Sequence, residues 1–185
     1  IAAICDQDEE RMDLIAEKYD LKAQRYTDFR RLLARDDLQA VDICLHNNLH
    51  APVAIAALNA DKHVYCEKPI AGSYADGLAM IEAAQKAGKM LHIQLSTLFE
   101  PETKVAKSLR EQGHLGEVYH VRSVGHRRRG RPFVDGYATK EFVNKTWSGG
   151  GANFDMGVYH IAQLLDILGR PEVKTISGRI YQKLD

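Results

Sequence analysis

The sequence predicts an α/β protein with a doubly wound parallel sheet, followed by the start of an α+β domain with a largely antiparallel sheet. Over residues 1–98, short and almost wholly apolar segments alternate with helical patterns, which is typical of a parallel sheet covered by helices on both faces. From residue 99 to 185, two longer segments alternate polar and apolar residues, which is typical of antiparallel strands with one face against a core. We therefore expect two domains, 1–98 and 99–185.

The first region shows the pattern of a βα repeat. The apolar segments that predict strands span residues 1–5, 40–45, 63–66 and 90–95. Four helical patterns alternate with these segments, and they start at Asp8, Thr27, Pro52 and Ser73. Thr27 is the expected cap of the second helix, and Ser73 forms a capping pair with Asp76. We expect the order βαβαβαβαβ with right-handed crossovers.

The second region has fewer and longer elements. Helices are expected over residues 101–112 and 153–168, and strands over 117–125 and 172–184. The basic loop at residues 126–131 could bind a carboxylate or phosphate of a substrate, but it is more typical of a solvated loop or a subunit contact.

The start of the predicted sheet differs from that of a complete Rossmann-type unit. Such a unit opens with a strand and a glycine-rich turn, and no G-x-G-x-x-G motif occurs in this sequence. Ile1 falls where the second strand would begin, so we expect a few dozen residues before Ile1 and a continuation after Asp185. In the strand order 3-2-1-4 the first strand is central, so a sheet without it would form two half-sheets with exposed edges.

The composition favours small molecules as ligands. The 185 residues include 25 Lys and Arg and 25 Asp and Glu, so no net field attracts nucleic acid or an anionic membrane surface. No apolar stretch approaches the roughly 20 residues that span a bilayer. Cys5, Cys44 and Cys66 have no metal-ligand spacing, and each lies in an apolar run. We therefore expect buried thiols, no metal, a cytoplasmic location, and a homodimer or homotetramer formed through the second sheet.

Lys68 is the candidate acid-base residue. It lies at the end of an apolar strand within Glu67-Lys68-Pro69, and ligands of open α/β sheets bind outside the carboxyl ends of strands. A partly desolvated lysine beside a nicotinamide cation loses its proton more easily, and can then exchange protons near neutral pH. The alternative is a simple salt bridge between Lys68 and Glu67. Pro69 biases the lysine toward extended geometry.

A second group of polar residues opens the helix near residue 153. Asp155 and Tyr159 are four residues apart and share one face of an α-helix, whereas His160 is rotated by about 140° from Asp155. Histidine is the better proton carrier at pH 7, so both Tyr159 and His160 remain candidates. The alternatives are a flexible loop at residues 149–151 and a first-turn acid favoured by the helix dipole at Asp155.

Two other strand ends carry candidate cofactor residues. Asp6 stands where an acidic side chain accepts hydrogen bonds from an adenosine ribose, although helix capping is an alternative. No arginine follows it directly, which favours NAD over NADP. Asn47 could contact the nicotinamide ribose or cap a helix, and His50 could bind cofactor or pack. Trp147 could stack on a sugar or pack beneath the glycine turn.

At these residues the chain resembles the Gfo/Idh/MocA family of NAD(P)-dependent sugar and inositol oxidoreductases. The matching motifs are Ala3-Ile4-Cys5-Asp6, Asn47 with His50-Ala51-Pro52, Lys62-His63-Val64-Tyr65-Cys66-Glu67-Lys68-Pro69, Gly116-Glu117-Val118, and Gly149-Gly150-Gly151 with Asp155 and Gly157. They span almost the whole chain, and the Glu-Lys-Pro motif with its strand is the most specific.

The resemblance implies a set of site residues. Lys68 would be the catalytic lysine, Asp155 its partner, and Tyr159 or His160 the remaining proton carrier. The expected cofactor-binding residues are Asp6, Leu45, His46, Asn47, His50, Glu67, Lys68 and Pro69.

The implied activity is hydride transfer between NAD or NADP and a hydroxyl-bearing carbon of a sugar, inositol or related polyol. Lys68 would move the proton of the reacting oxygen, and Asp155 would orient Lys68. Two alternatives are glycoside cleavage through transient oxidation by bound NAD, and a non-catalytic dinucleotide-binding regulator. The presence of both Lys68 and Asp155 argues against the regulator.

Overall fold

A computed structural model of the chain describes residues 1–126 and 140–181. The chain divides into two compact units. The first comprises Ile1–Leu95 and His126–Val158, and the second comprises Ser96–Gly125 and Tyr159–Asp185. The predicted domain boundary after residue 98 stays a proposal.

The strands of the first unit form two parallel sheets. They are β1 (Ala3–Cys5), β2 (Gln24–Tyr26), β3 (Ala40–Ile43), β4 (His63–Cys66) and β5 (Leu91–Ile93). β1 pairs with β2 in one sheet, and the order in the other is β3-β4-β5. This division confirms the predicted pair of half-sheets.

The helices alternate with these strands as expected. They are α1 (Glu9–Lys18), α2 (Phe29–Leu33), α3 (Asn47–Asn59), α4 (Tyr74–Ala87), α5 (Pro101–Glu111), α6 (Lys145–Ser148) and α7 (Val158–Ile167). Short 3₁₀ turns occur at Ser96–Leu98 and Lys140–Val143, and a π-helical turn at Asn153–Gly157.

The predicted order βαβαβαβαβ places a strand between the first two helices, and β2 is that strand, although no apolar segment marks it in the sequence. Its sequence is Gln-Arg-Tyr, and its first two residues are exposed. The segment is a strand because its backbone pairs with β1, with Ile4 opposite Arg25. Apolar periodicity reports burial, so it does not detect a strand whose side chains face water.

Two helix starts differ from the prediction. The N-cap of α2 is Asp28 rather than Thr27, because the Asp28 carboxylate accepts the backbone N–H of Arg30 at 3.0 Å. α3 begins at Asn47, five residues before Pro52. Buried contacts of its first turn, described below, outweigh the preference of proline for a helix start.

The core of the first unit lies between the β3-β4-β5 sheet and the helices α3 and α4. Ala54, Ala57 and Leu58 of α3 and Met80 of α4 have no exposed surface. Full burial of a leucine or methionine side chain stabilises the fold by about 1.5–3 kcal/mol. This packing fixes α3 and α4 against the strands, and so fixes the turns that join them.

Only one face of the described β3-β4-β5 sheet is buried. Along β4, Val64 and Cys66 face the core, whereas Tyr65 is exposed and stacks on His92 of β5, with ring centroids 4.9 Å apart. The prediction of helices on both faces is therefore not met among the described residues. An apolar run does not distinguish a strand buried on both faces from one that exposes aromatic side chains.

The second unit is held by a polar cluster on α5 and α7. Thr103 is buried, donates to the carbonyl of Thr97 at 2.6 Å, and accepts from Gln163 at 2.7 Å. The Lys107 ammonium donates to both carboxylate oxygens of Asp166 at 3.1 Å. These contacts join α5 to α7 within the unit.

The predicted antiparallel sheet is not confirmed. The described residues of the two alternating segments, 117–125 and 172–181, form no strand. Most of their apolar side chains are exposed, with Tyr119 at 94% and Ile176 at 88%. Period-two alternation states which face of a strand would be buried, but a strand forms only when a neighbouring backbone pairs with it.

Candidate active site

The candidate residues of the first unit lie at the carboxyl ends of parallel strands. Asp6 follows β1, the segment 45–47 follows β3, and the segment 67–69 follows β4. In open α/β sheets this edge is where ligands bind. Asp6 and the two segments therefore lie at the edge of the sheets where a cofactor is expected to bind.

Lys68 contacts Asp155, which is 87 residues away in the sequence. Its Nζ donates to the Asp155 carboxylate at 3.0 Å and to the Asp155 carbonyl at 2.8 Å. The two side chains are 11% and 19% exposed. A charged pair at this depth is weakly screened by water, so the contact holds the Lys68 ammonium firmly next to the Asp155 carboxylate.

The backbone beside Lys68 is also constrained. The Glu67 carboxylate accepts the backbone N–H of Lys68 at 3.1 Å. The Lys68-Pro69 peptide bond is cis. Glu67 thus holds the turn that carries Lys68, a role beyond the simple salt bridge considered from the sequence.

The glycine turn at residues 149–151 packs closely on its surroundings. A Cβ on Gly150 would overlap the ring of Phe154, and Gly149 and Gly151 have φ of 80° and 56°. An L side chain is disfavoured at Gly150 because it would overlap Phe154, and at Gly149 and Gly151 because their φ values are positive. The glycines therefore allow close contact with Phe154 beside Asp155, which the flexible-loop alternative does not explain.

Asp155 lies in the π-helical turn Asn153–Gly157 rather than in a regular α-helix. Such turns are frequent at functional sites and alter the angle between successive side chains. The α-helical spacing that favoured Tyr159 over His160 therefore does not apply across this turn.

The first turn of α3 makes two buried contacts. The Asn47 side-chain amide donates to the Ser148 carbonyl at 2.7 Å. The His50 ring places Nδ1 2.7 Å from the Pro69 carbonyl and Nε2 3.1 Å from the Leu45 carbonyl. His50 has no exposed surface, so the structure favours the packing alternative over direct cofactor contact.

His46 and Trp147 meet at the same part of the first unit. Their rings are 6.0 Å apart with an edge-on geometry. Trp147 thus packs against the turn after β3. Leu45 and His46 remain partly accessible next to this contact, as a ligand-binding turn requires.

Asp6 interacts with an arginine that the sequence did not indicate. One carboxylate oxygen of Asp6 accepts the Asp8 backbone N–H at 3.0 Å, and the other lies 3.5 Å from Arg11. Arg11 lies in the first turn of α1, not directly after Asp6. The acid is therefore held in place at the end of β1, and it keeps about a third of its side chain exposed at 32%.

Tyr159 and His160 belong to the second unit. The His160 Nδ1 lies 2.6 Å from Ser123 Oγ, and a Cβ on Gly125 would overlap the imidazole. Their proposed catalytic roles stay predictions. The arginines at 127–129 and 131 lie outside the described residues.

Several participants could not be found from sequence patterns. The Ser148 and Pro69 carbonyls are backbone groups, which every residue carries, so no residue type signals them. In the sequence, Phe154 is indistinguishable from an ordinary apolar helix residue.

Among residues 1–126 and 140–181, no cluster of three or more His, Cys, Asp or Glu side chains could hold a metal, and no helix is long and apolar enough to cross a membrane.

Comparison with known proteins shows which family the chain belongs to. Residues 1–95 match the family model described as an oxidoreductase family with an NAD-binding Rossmann fold, and residues 103–184 match the GFO/IDH/MocA C-terminal domain. The chain belongs to the GFO/IDH/MocA family. The predicted resemblance and the predicted NAD cofactor are confirmed by these matches.

Individual relatives of this GFO/IDH/MocA member are named dehydrogenases. The chain is 31% identical to the D-glucoside 3-dehydrogenase of Escherichia coli K12 over 184 residues, which is 100% of the chain and 51% of that protein. It is 37% identical to an inositol 2-dehydrogenase of Salmonella paratyphi B over 122 residues, 65% of the chain and 36% of that protein. The chain thus spans about half or less of these relatives.

A solved structure gives the same assignment. An aldose-aldose oxidoreductase from Caulobacter crescentus, complexed with glycerol, matches with a TM-score of 0.73 and 29% identity. The match covers 91% of this chain and 50% of the other. The parallel sheets and helices described above are therefore those of an oxidoreductase fold.

The residues present fit a bound NAD. A partly exposed carboxylate ends β1, where a ribose is held in such folds, and a cation with a carboxylate partner ends β4. Asp6 and Arg11 would hold the adenosine end of the cofactor, and the turns at 45–47 and 67–69 would hold the nicotinamide end.

Proposed function

We propose that the protein is an NAD-dependent oxidoreductase that acts on a hydroxyl-bearing carbon of a sugar, inositol or related polyol. The observation that carries the proposal is the contact between Lys68 and Asp155 at the carboxyl end of β4. A buried ammonium with its own carboxylate at the ligand-binding edge of the sheet is more than a surface ion pair, which contributes little to stability.

NAD, when bound, supplies the hydride acceptor or donor. Lys68 Nζ hydrogen-bonds the reacting oxygen. In the direction of oxidation the neutral amine takes the hydroxyl proton, and in reduction the ammonium returns it. Asp155 orients Nζ through the 3.0 Å contact. Tyr159 and His160 are the candidates for passing this proton onward.

The names of two relatives support the proposed substrate class. The match to a D-glucoside 3-dehydrogenase extends over the whole chain, and the match to an inositol 2-dehydrogenase over 65% of it. Both names describe oxidation of a ring hydroxyl. We therefore propose a cyclic sugar or cyclitol with a secondary hydroxyl as the substrate, with glucosides as the first choice.

We further propose a cytoplasmic homodimer or homotetramer. All three cysteines are unpaired, which suits a reducing compartment. The exposed apolar side chains of residues 172–181 supply surface for subunit contacts. Size-exclusion chromatography with light scattering tests the assembly, and a monomer at micromolar concentration would contradict it.

The test of the activity is a panel of glucosides, hexoses and inositols followed by NADH absorbance. Lys68→Ala should lower kcat by about 10²–10⁴-fold, the usual contribution of general acid-base catalysis, and should leave NADH affinity within a few-fold. Lys107→Ala is the matched control, because it removes a lysine that pairs with Asp166 in the second unit. A fully active Lys68→Ala variant would exclude the mechanism.

Two other outcomes of the panel identify the alternatives. Release of free sugar from a glycoside without net NADH formation indicates glycoside cleavage through transient oxidation. Tight NADH binding without turnover of any compound indicates a dinucleotide-binding regulator. Either result replaces the dehydrogenase proposal.

A further inference from the structure

His50 occupies an unusual position between two strand-end turns. It lies in the first turn of α3, has no exposed surface, and contacts one carbonyl after β3 and one carbonyl after β4. The second of these carbonyls belongs to Pro69, the residue after Lys68.

The two ring contacts are not equivalent. Both neighbours are carbonyl oxygens, which only accept, and a neutral imidazole carries one N–H. The contact of Nδ1 with Pro69 O is 2.7 Å and that of Nε2 with Leu45 O is 3.1 Å. We assign the hydrogen of the neutral ring to Nδ1, where it donates to Pro69 at the shorter distance. An imidazolium would make this same bond.

The contact closes a chain of links around the candidate site. Asn47, three residues before His50, holds the Ser148 carbonyl, and Asp155 further along that segment holds Lys68. His50 then joins the lysine turn back to α3. One helical turn thus anchors both the segment that carries Asp155 and the turn that carries Lys68.

We propose that His50 is a positioning residue, whose Nδ1–H holds the Lys68-Pro69 turn so that Lys68 Nζ reaches Asp155. His50 does not touch substrate or cofactor, because it is fully buried. It acts through the backbone of Pro69. The expected loss of activity rests on the proposed function. The expected effect of His50 on the position of Lys68 can be measured without turnover.

Two substitutions separate the two ring contacts. The amide nitrogen of asparagine lies near the place of Nδ1, so His50→Asn keeps the donor to Pro69 and loses the Leu45 contact. The amide nitrogen of glutamine lies near the place of Nε2, so His50→Gln places a donor near the Leu45 carbonyl and loses the bond to Pro69. Because the neutral ring gives its single N–H to Pro69, His50→Gln leaves that carbonyl without its donor, whereas His50→Asn keeps the bond. The thermal midpoints can differ for this reason alone, so the readouts that decide are kcat and the acetylation of Lys68.

The expected result is a difference in activity between the two variants. His50→Gln should lower kcat by about 100-fold, the cost of a displacement of roughly 1 Å at a catalytic group. His50→Asn should stay within a few-fold of the parent. KM and NADH affinity should change little in either, because the change affects the placement of Lys68 and not ligand binding.

A second readout does not need turnover. The rate of Lys68 acetylation by acetic anhydride, followed by mass spectrometry without ligands, reports how firmly Nζ is held by Asp155. It should rise in His50→Gln and stay at the parental rate in His50→Asn. Acetylation of Lys107 in the same samples provides an internal reference.

The outcomes decide between the two proposals. Equal kcat and equal Lys68 acetylation in both variants would overturn the role of His50, while activity of the parent would still support the dehydrogenase. If the parent turns over no compound, the acetylation contrast alone still decides on His50. If His50→Gln does not fold, a His50→Asn variant that loses parental acetylation overturns the inference, and one that retains it supports the inference.

Discussion

Lys68, at the turn after β4, pairs with Asp155 in the π-helical turn before α7. The strand before Glu67-Lys68-Pro69 is apolar and short, so the position of the lysine at a strand end is predictable from local pattern. The contact itself connects residues 87 positions apart. No periodicity extends over such a separation, and the pairing was expected from the family resemblance alone.

The thiol next to this site should be unreactive at neutral pH. Burial raises the pKa of Cys66 to about 12, with smaller contributions from the nearby Cys44 and Glu67. The pKa of Cys44 is raised to about 11, first by partial burial of its thiol and then by the Asp42 carboxylate. Cys44 is exposed as a residue, but its Sγ donates to Asp42 at 3.6 Å.

We predict that iodoacetamide alkylates Cys44 slowly in the folded protein. The reactive species is the thiolate, so raising the pKa from 9.0 to about 11 lowers its fraction at pH 8 by about 100-fold. The rate should keep rising with pH toward 11, and Asp42→Asn should increase it at pH 8. Protein unfolded in urea supplies the reference rate. A rate that levels off below pH 9 would refute the prediction.

Helix caps are the elements that the sequence predicts best. Ser73 was expected to cap α4 with Asp76, and its hydroxyl accepts the Asp76 backbone N–H at 3.1 Å while contacting the Asp76 carboxylate at 2.8 Å. Thr27 was the wrong cap for α2, because Asp28 is adjacent and holds the Arg30 N–H instead. Neighbouring residues of good capping type cannot be separated by type alone.

We predict that Ser73→Ala destabilises the protein by about 1 kcal/mol, the typical cost of a lost N-cap. The α4 N–H groups near Asp76 would then lack their acceptor. Ser73→Thr keeps the hydroxyl and is the matched control, with little expected change. Urea unfolding measures both, and a Ser73→Ala midpoint equal to that of the parent would show that the cap does not contribute.

The turn at Asn153–Gly157 shows where element prediction fails. The sequence predicts a regular helix from residue 153, and the structure has a π-helical turn there before α7. A Cβ on Gly157 would overlap the Asn153 side chain, so this residue must be small. Hydrophobic periodicity averages over many residues and does not resolve one wider turn.

At the scale of the whole molecule, regions with and without backbone pairing should differ in stability. The β3-β4-β5 sheet has its backbone hydrogen bonds formed and packs on α3, whereas residues 117–126 and 172–181 lie outside any described strand. Opening of a region costs more when its hydrogen bonds and apolar contacts are buried.

We predict that amide hydrogens of residues 117–126 and 172–181 exchange within seconds in the 185-residue chain, while those of β4 are protected for much longer. Hydrogen exchange followed by mass spectrometry at neutral pH measures both. Peptides from α1, which has one exposed face, provide an intermediate reference. Strong protection of the two segments would mean that they pair with other strands, as their alternation suggests.

The sequence determined the apolar strands and the strand-end position of Lys68 through burial periodicity, and most helix bounds through capping chemistry. The division into two half-sheets followed from the expected strand order. Tertiary structure decided the polar strand β2, the start of α3 at Asn47, the single buried face of the β3-β4-β5 sheet, and the contacts of Lys68 and His50. These depend on backbone groups and distant partners, whose positions are set only when the chain packs.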